Sequence, residues 1–322
     1  MPELPEVETL RRDAERYLLG RRIEAVDLLA PEVVRLPAPA AFREGLAGAA
    51  FIGARRRAKY LLLDLDNGCV LALQLALFGQ FLLVDSAAPP DAGRGATEPG
   101  RVGRAEPDPD TLLVLTLTDG AFLQVLDRSR YTRLYLGSPA ELSAALRLDT
   151  LGPEPLDPAF TVEALAALLR GRRGRLKALL LDQHMIAGLG NIYADEALWR
   201  ARLHPGRVAG SLTADETAAL HDAIQGVLRE AIANRGTTFH TYRDLLGAKG
   251  GHQEHLVAFH RQGAPCPRCG TPVERVTLAS RDTHLCPACQ VLDAPGQHGD
   301  ESKAGHRGRR QPAGSARRPL RE

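Results

Sequence analysis

Four cysteines near the C-terminus constrain this chain more tightly than any other feature. Cys266-x2-Cys269 is followed by 16 residues and then by Cys286-x2-Cys289. Thiolates at this spacing converge on one tetrahedral ion, each pair presented by its own tight turn. Gly263, Pro265, Gly270 and Pro287 supply turn chemistry around both pairs. The expectation is one structural Zn2+, because the quartet leaves no His and no open position for catalysis. Two disulfides are the alternative, disfavoured in a reducing compartment. The fifth cysteine, Cys69, sits in an apolar run and reads as core. Between the two pairs, "TPVERVTLASRDTHL" reads as a hairpin carrying Arg275 and Arg281. An arginine on a rigid hairpin tip suits a phosphate; a solvated arginine is the plainer alternative.

The remaining sequence is long enough for two further domains: 322 residues, 44% hydrophobic and 25% charged. No stretch approaches the ~20 continuous apolar residues of a membrane span, so no membrane partner is expected. The N-terminus lacks a basic stretch followed by an apolar core, which predicts a cytoplasmic location. Net charge is uninformative: the last 32 residues hold seven Lys/Arg against four Asp/Glu, and the rest holds 34 against 35. Any nucleic-acid surface must come from local clusters such as Arg55-Arg56-Arg57 with Lys59, or Arg172-Arg173 with Arg175 and Lys177. A solvated charged face is the ordinary reading of each.

Along the chain, residues 5–18 predict a helix, with Pro5 in the first turn, apolar residues near helical spacing and Gly20 to end it. Glu6 lies in its first turn, where the helix dipole favours an anion. Strand-like runs follow: "RIEAVDLL", "YLLLDLD", "CVLALQLALFGQFLLVD", "TLLVLTLTD" and "AFLQVLD". "DNG" at 66–68 and "DG" at 119–120 are hairpin signals. Residues 2–136 thus read as a helix heading an antiparallel sandwich or barrel, with a Pro/Gly-rich loop insertion at 86–110. Residues 138–262 read as a helical domain, in which "GLGN" forms a Gly-bounded turn between two helices. The finger occupies 263–290. The basic segment 291–322 reads as a disordered tail.

Three strings together carry a resemblance: "MPELPEVET", "GLGNIYADEALWRARLHPGR" and the terminal four-cysteine finger. In this order they resemble the formamidopyrimidine-DNA glycosylase/endonuclease VIII family of base-excision repair enzymes, over about residues 2–290 without the insertion. The resemblance implies an α+β multidomain fold: an N-terminal β-sandwich headed by a helix, a helical domain with a helix–two-turn–helix element, and a C-terminal zinc finger. It implies removal of oxidised bases from double-stranded DNA, followed by β,δ-elimination at the abasic site. It implies a monomer, nucleoid-associated through its DNA. Met1 is expected to be removed, so that the Pro2 nitrogen, a secondary amine, can form an iminium ion with sugar C1′. The resemblance gives Glu3 the role of general acid/base and Glu6 that of orienting the amine. Lys59 is expected on a β-strand, contacting phosphate and supporting catalysis. Asn191 and Arg281 are expected to hold the DNA backbone at the lesion.

Two segments depart from the purine-specific branch of the family. Its "H-L-x-M-x-G" is here "QLALFG", Gln74 to Gly79, which places Leu77-Phe78 as an apolar wedge into the base stack; strand core is the alternative reading. Its "D-x-R-x-F-G" is here "DRSRYT", which puts Ser129 where that branch has Arg and Tyr131 where it has Phe. Arg128 and Arg130 flank the gap, and strand alternation points both away from the Ser129 side. Arg128, Arg130 and Tyr131 are carried as candidate DNA contacts. The departures predict a base preference unlike that of a standard 8-oxoguanine enzyme. A non-catalytic binder of damaged DNA or abasic sites is the alternative function.

Overall fold

In the computed structural model, helix α1 (Leu4–Tyr17) is shared by two hydrophobic cores. The structure describes residues 1–84 and 108–292, so most of the 86–110 insertion and nearly all of the basic tail lie outside the described residues. Leu4 is buried among helices of the second domain, whereas Val7, Leu10 and Ala14 are buried against the β-sheets. A single helix therefore crosses the domain junction, and its N-terminal end, carrying Pro2, Glu3 and Glu6, lies there.

Two sheets form the N-terminal domain. The first has the order β1 (Ile23–Leu28), β7 (Thr111–Leu117), β8 (Phe122–Leu126), β6 (Gln80–Val84). The second has the order β2 (Val34–Leu36), β9 (Arg133–Gly137), β5 (Val70–Gln74), β4 (Tyr60–Leu65), β3 (Phe51–Arg57). Pairing is antiparallel except between β2 and β9, which run parallel. Leu61, Leu63, Leu71 and Leu73 from one sheet meet Leu113, Leu115, Leu123 and Val125 from the other in a common core. The "DNG" and "DG" turns join β4 to β5 and β7 to β8, with Gly68 and Gly120 at positive φ, as such turns require. Helix α2 (Pro39–Leu46) packs on this domain through Phe42 and Leu46.

Helices α3 (Pro139–Leu146), α4 (Val162–Leu169), α5 (Leu176–Leu181), α6 (Asn191–Arg200) and α7 (Ala214–Ala233) follow. α3 and α7 begin with reciprocal Ser138/Glu141 and Thr213/Glu216 capping boxes. α4 to α7 enclose the second core, which includes Leu165, Tyr193, Leu198 and Ile224. None of the described helices is long and apolar enough to cross a membrane. Strands β10 (Glu274–Leu278) and β11 (Arg281–Leu285) form the finger hairpin.

Three expectations need correction. The run "CVLALQLALFGQFLLVD" is not continuous: β5 ends at Gln74 and β6 starts at Gln80, so Leu77 and Phe78 lie in the intervening turn and not in strand core. Lys59 is not on a strand; with Ala58, which has φ +51°, it forms the two-residue turn joining β3 to β4. Residues 127–132 are not a strand either, so alternation does not govern Arg128 and Arg130. Asp127 folds that segment back by accepting bonds from the Ser129 N–H (2.9 Å), the Ser129 hydroxyl (2.5 Å) and the Thr132 N–H (2.8 Å).

Candidate active site at the domain junction

The first turn of α1 is closed by a capping box: Glu3 caps it, and the Glu3 N–H donates to Glu6 Oε2 at 2.9 Å. The Glu3 carboxylate reaches across the junction to the N-terminus of α6, where it accepts from the Ile192 N–H (3.0 Å) and the Tyr193 N–H (3.5 Å). A helix N-terminus is a favourable place for this anion. Glu6 accepts from the Thr237 N–H (2.8 Å) and from the Tyr193 hydroxyl, which also contacts Thr237 Oγ1 at 3.0 Å. Both carboxyls are buried. Burial pushes Glu3 above the usual carboxylate range against the pull of Lys59 and the backbone donors. Burial, followed by the neighbouring Glu3 charge, pushes Glu6 up to about 7. Such a pair can hold a proton near neutral pH and give it up to a reacting group.

The glycines of "GLGN" make this approach possible. Gly188 has φ +83°, and its carbonyl accepts the Leu4 N–H at 3.0 Å. A Cβ on Gly190 would lie 2.3 Å from Glu3 Cδ. That atom ends a flexible side chain, so Gly190→Ala displaces the Glu3 carboxyl rather than the backbone. The expected outcome is a stability change below about 1 kcal/mol with cleavage of an abasic duplex slowed at least about tenfold. Thermal denaturation beside single-turnover cleavage checks it; equal loss in both would show that Gly190 serves packing alone.

Lys59 approaches from the opposite domain. Its turn is gripped by Glu154, which accepts the Ala58 N–H at 2.7 Å and pairs with Arg56 (2.6 Å) and Arg57 (3.0 Å). Arg57 also donates to the Leu151 and Gly152 carbonyls. Burial lowers the Lys59 ammonium below its ordinary value, Glu3 and Glu6 hold it up, and the Arg281 charge lowers it further. The Met1 ammonium is likewise lowered by burial in the field of Glu3 and Glu6.

Asn191 opens α6, and its Nδ2 donates to the Asp282 carbonyl at 2.9 Å. Lys177, fully buried, pairs with Asp195 at 2.6 Å and donates to the Asp282 carbonyl and the Thr283 hydroxyl, both at 2.8 Å. Asp195 also accepts the His284 N–H at 2.9 Å. The finger hairpin is thus tethered to the helical domain immediately beside Arg281.

The turn residue Leu77 is 51% exposed, as a wedge must be, and its carbonyl accepts the Thr241 hydroxyl at 3.2 Å. The Arg128 guanidinium lies 3.8 Å from the centroid of the Phe78 ring. Tyr131 is 70% exposed. Arg130 is not gathered with them; it pairs with Glu32 at 2.8 Å. A cavity of about 520 Å³ lies among Gln74, Leu77, Phe78, Ser129, Tyr131 and Arg133. A second, of about 220 Å³, is lined by Pro2, Glu3, Glu6, Asn191, Phe239 and His260.

In the finger, the sulfur atoms of Cys266 and Cys289 are 3.9 Å apart, and those of Cys269 lie 3.5 Å from both Cys286 and Cys289. Zn–S bonds of ~2.3 Å at tetrahedral angles give edges of about 3.8 Å. Disulfide sulfurs would stand at about 2.05 Å, so the pairing alternative is excluded. Four thiolates, gathered within 4.8 Å of one another, fit one structural zinc ion. The Arg268 guanidinium covers the Trp199 ring at 3.8 Å and binds the Trp199 and Arg200 carbonyls, docking the finger on the end of α6.

The same order of three domains is matched by known protein families. Residues 1–134 match the formamidopyrimidine-DNA glycosylase N-terminal domain, residues 151–243 the formamidopyrimidine-DNA glycosylase H2TH domain, and residues 263–291 the zinc finger found in FPG and IleRS. The formamidopyrimidine-DNA glycosylase of Herpetosiphon aurantiacus is 44% identical over 90% of this chain and all of its own length. The chain belongs to the formamidopyrimidine-DNA glycosylase family. The enzyme of that name from a Roseiflexus species is 45% identical, with the same coverage. Among solved structures, the Thermus thermophilus member is 38% identical with a TM-score of 0.76, over 90% of this chain and 98% of its own. The Lactococcus lactis member, in complex with DNA containing an abasic site, is 30% identical with a TM-score of 0.79, over 90% of this chain and 100% of its own. Family membership bears out the α+β multidomain fold and the zinc finger.

Several residues that build the site were given no role from the sequence, although Tyr193, Asp195 and Glu196 lie within the string that carries the resemblance. Tyr193, Glu154, Asp195 and Glu196 act through partners 61 to 187 positions away.

Proposed function

We propose that this protein is a base-excision repair enzyme that removes oxidised bases from double-stranded DNA and then cleaves the strand at the abasic site. The observation that carries the reading is the convergence of the chain's start and two buried carboxyls on one cavity at the domain junction, with the Lys59 ammonium within their electrostatic reach. Once Met1 is removed, the Pro2 amine becomes the chain's start beside the place where burial, and then the Lys59 charge, lower the Met1 ammonium against the pull of Glu3 and Glu6. A lowered amine pKa leaves more of the neutral nucleophile at cellular pH. The Pro2 nitrogen attacks C1′ and the bond from C1′ to the base nitrogen breaks, its electron pair leaving with the base. Glu3 delivers a proton to the ring oxygen as the sugar opens to a C1′ iminium. Loss of a C2′ proton then expels the 3′ phosphate, loss of the C4′ proton expels the 5′ phosphate, and water hydrolyses the remaining iminium to release the sugar fragment and free the Pro2 amine.

The other assignments follow the same geometry. Glu6 orients the first turn of α1 and with it the amine. Lys59, Asn191 and Arg281 contact phosphates around the extruded nucleotide, and the tether through Lys177 holds Arg281 for this. Leu77 and Phe78 fill the gap left in the stack, with Arg128 and Tyr131 beside them on the opposite strand; Arg130, held by Glu32, contributes least. The zinc ion keeps the finger folded and takes no part in bond breaking. Residues 2–136, 138–262 and 263–290 serve as catalytic, DNA-binding and finger domains. The reading has the protein act as a monomer on cytoplasmic, nucleoid-associated DNA. Incubating the protein with an abasic oligonucleotide and sodium borohydride tests the reading: a covalent protein–DNA adduct is expected, and its absence would favour a non-catalytic binder.

A further inference from the structure

The wall of the smaller cavity opposite Glu3 is made of rings. Phe239, Phe259 and His260 line it together with Pro2 and Asn191. His260 has φ +58°, a left-handed backbone that a residue with a Cβ adopts at a cost. The strain is sustained by the segment just before it. Glu196, buried, accepts the N–H groups of Val257 (3.1 Å), Ala258 (2.9 Å) and Phe259 (2.8 Å), which fixes where residue 260 must turn. The His260 ring is then held by stacking. It lies 4.5 Å from the Phe259 ring at 8°, 4.6 Å from Phe239 at 40°, and 5.7 Å from His284 in the tethered finger hairpin.

These contacts use the ring's faces. Its two nitrogens make no hydrogen bond among the described residues; the residue is exposed, so both are open to a molecule that enters the cavity. Burial, with the neighbouring His284 and His240, lowers the imidazole below its ordinary pKa, which favours the neutral form with one donor and one acceptor. Oxidation of a purine creates a carbonyl beside an N–H, and a single imidazole nitrogen can meet one of the two, as donor to the carbonyl or as acceptor from the N–H. We infer that His260 is a specificity-determining residue, whose imidazole edge hydrogen-bonds the oxidised edge of the displaced base while Phe239 and Phe259 fix the ring's plane. The inference rests on the glycosylase reading above and adds the group that reads the base.

The abasic substrate separates this role from a structural one, because it has no base to read. His260→Phe keeps the ring and removes both nitrogens; His260→Asn tolerates the left-handed backbone and removes the ring. Single-turnover rates are measured on a duplex with 8-oxoguanine, formamidopyrimidine, thymine glycol or dihydrouracil, whichever the wild type releases fastest, and on a duplex with a preformed abasic site. Base release is expected to fall about tenfold in both variants, the scale of one lost hydrogen bond, with abasic cleavage within about twofold of wild type. Wild-type base release by His260→Phe, or equal losses on the two substrates, would overturn the inference. So would a wild type that cleaves abasic DNA but releases none of the four bases. A wild type inert on abasic DNA defeats the enzymatic reading instead, and the inference with it.

Discussion

Glu3→Gln is expected to slow cleavage of an abasic duplex by a factor of about a hundred to ten thousand, the range in which a positioned general acid contributes, while binding of that duplex stays within about threefold. Gln has the same shape, and its amide oxygen can still accept the Ile192 N–H that the carboxylate accepts at 3.0 Å. The Ile192 contact onto α6 is therefore kept, while the transferable proton, the charge beside Lys59 and the long 3.5 Å contact from the Tyr193 N–H are lost. A helix-capping role alone predicts little change in cleavage. Cleavage within about threefold of wild type would remove Glu3 from the chemistry, and thermal denaturation of the same variant confirms that the fold is intact.

Lys177→Met has the largest expected effect on stability. The ammonium is fully buried, paired with Asp195 at 2.6 Å, and supplies donors to the Asp282 carbonyl and the Thr283 hydroxyl. Burial lowers the lysine pKa even beside that carboxylate, so the ion pair offsets a substantial desolvation cost. Removing the cation leaves a buried carboxylate with no counter-charge, a loss of about 3–5 kcal/mol, which corresponds to a fall in melting temperature on the order of 10 °C. Lys177→Met combined with Asp195→Asn removes both charges and leaves an acceptor for the His284 N–H. The double variant should recover a large part of the loss. A single variant within about 1 kcal/mol of wild type, or a double variant no better than the single, would contradict the tether.

The sequence was informative wherever the determining physics is local. "DNG" and "DG" specify turns by backbone conformation, and the Ser138/Glu141 and Thr213/Glu216 boxes specify helix starts within four residues. The cysteine spacing specifies its metal in the same way. Lys59 was misplaced because its turn contains no glycine or asparagine; Ala58 takes the positive φ with the support of Glu154, 96 positions later. Arg128 was misjudged because a short apolar run was extended past Leu126, where the Asp127 side chain in fact turns the chain. The elevated proton affinity of Glu6 comes from burial and then from the Glu3 charge, and it prevails over the hydrogen bonds of Tyr193 and Thr237, which come from distant parts of the sequence. Periodicity could place Glu6 on the first turn of a helix but could not bury it.

The N-terminal nitrogen carries the whole account, and one measurement addresses it directly. The native protein, trapped on an abasic oligonucleotide with borohydride, is digested and sequenced by tandem mass spectrometry. The account predicts that the sugar adduct lies on the nitrogen of Pro2 in a chain that has lost Met1. An adduct on Lys59, or a protein that retains Met1 and still cleaves DNA at full rate, would contradict it.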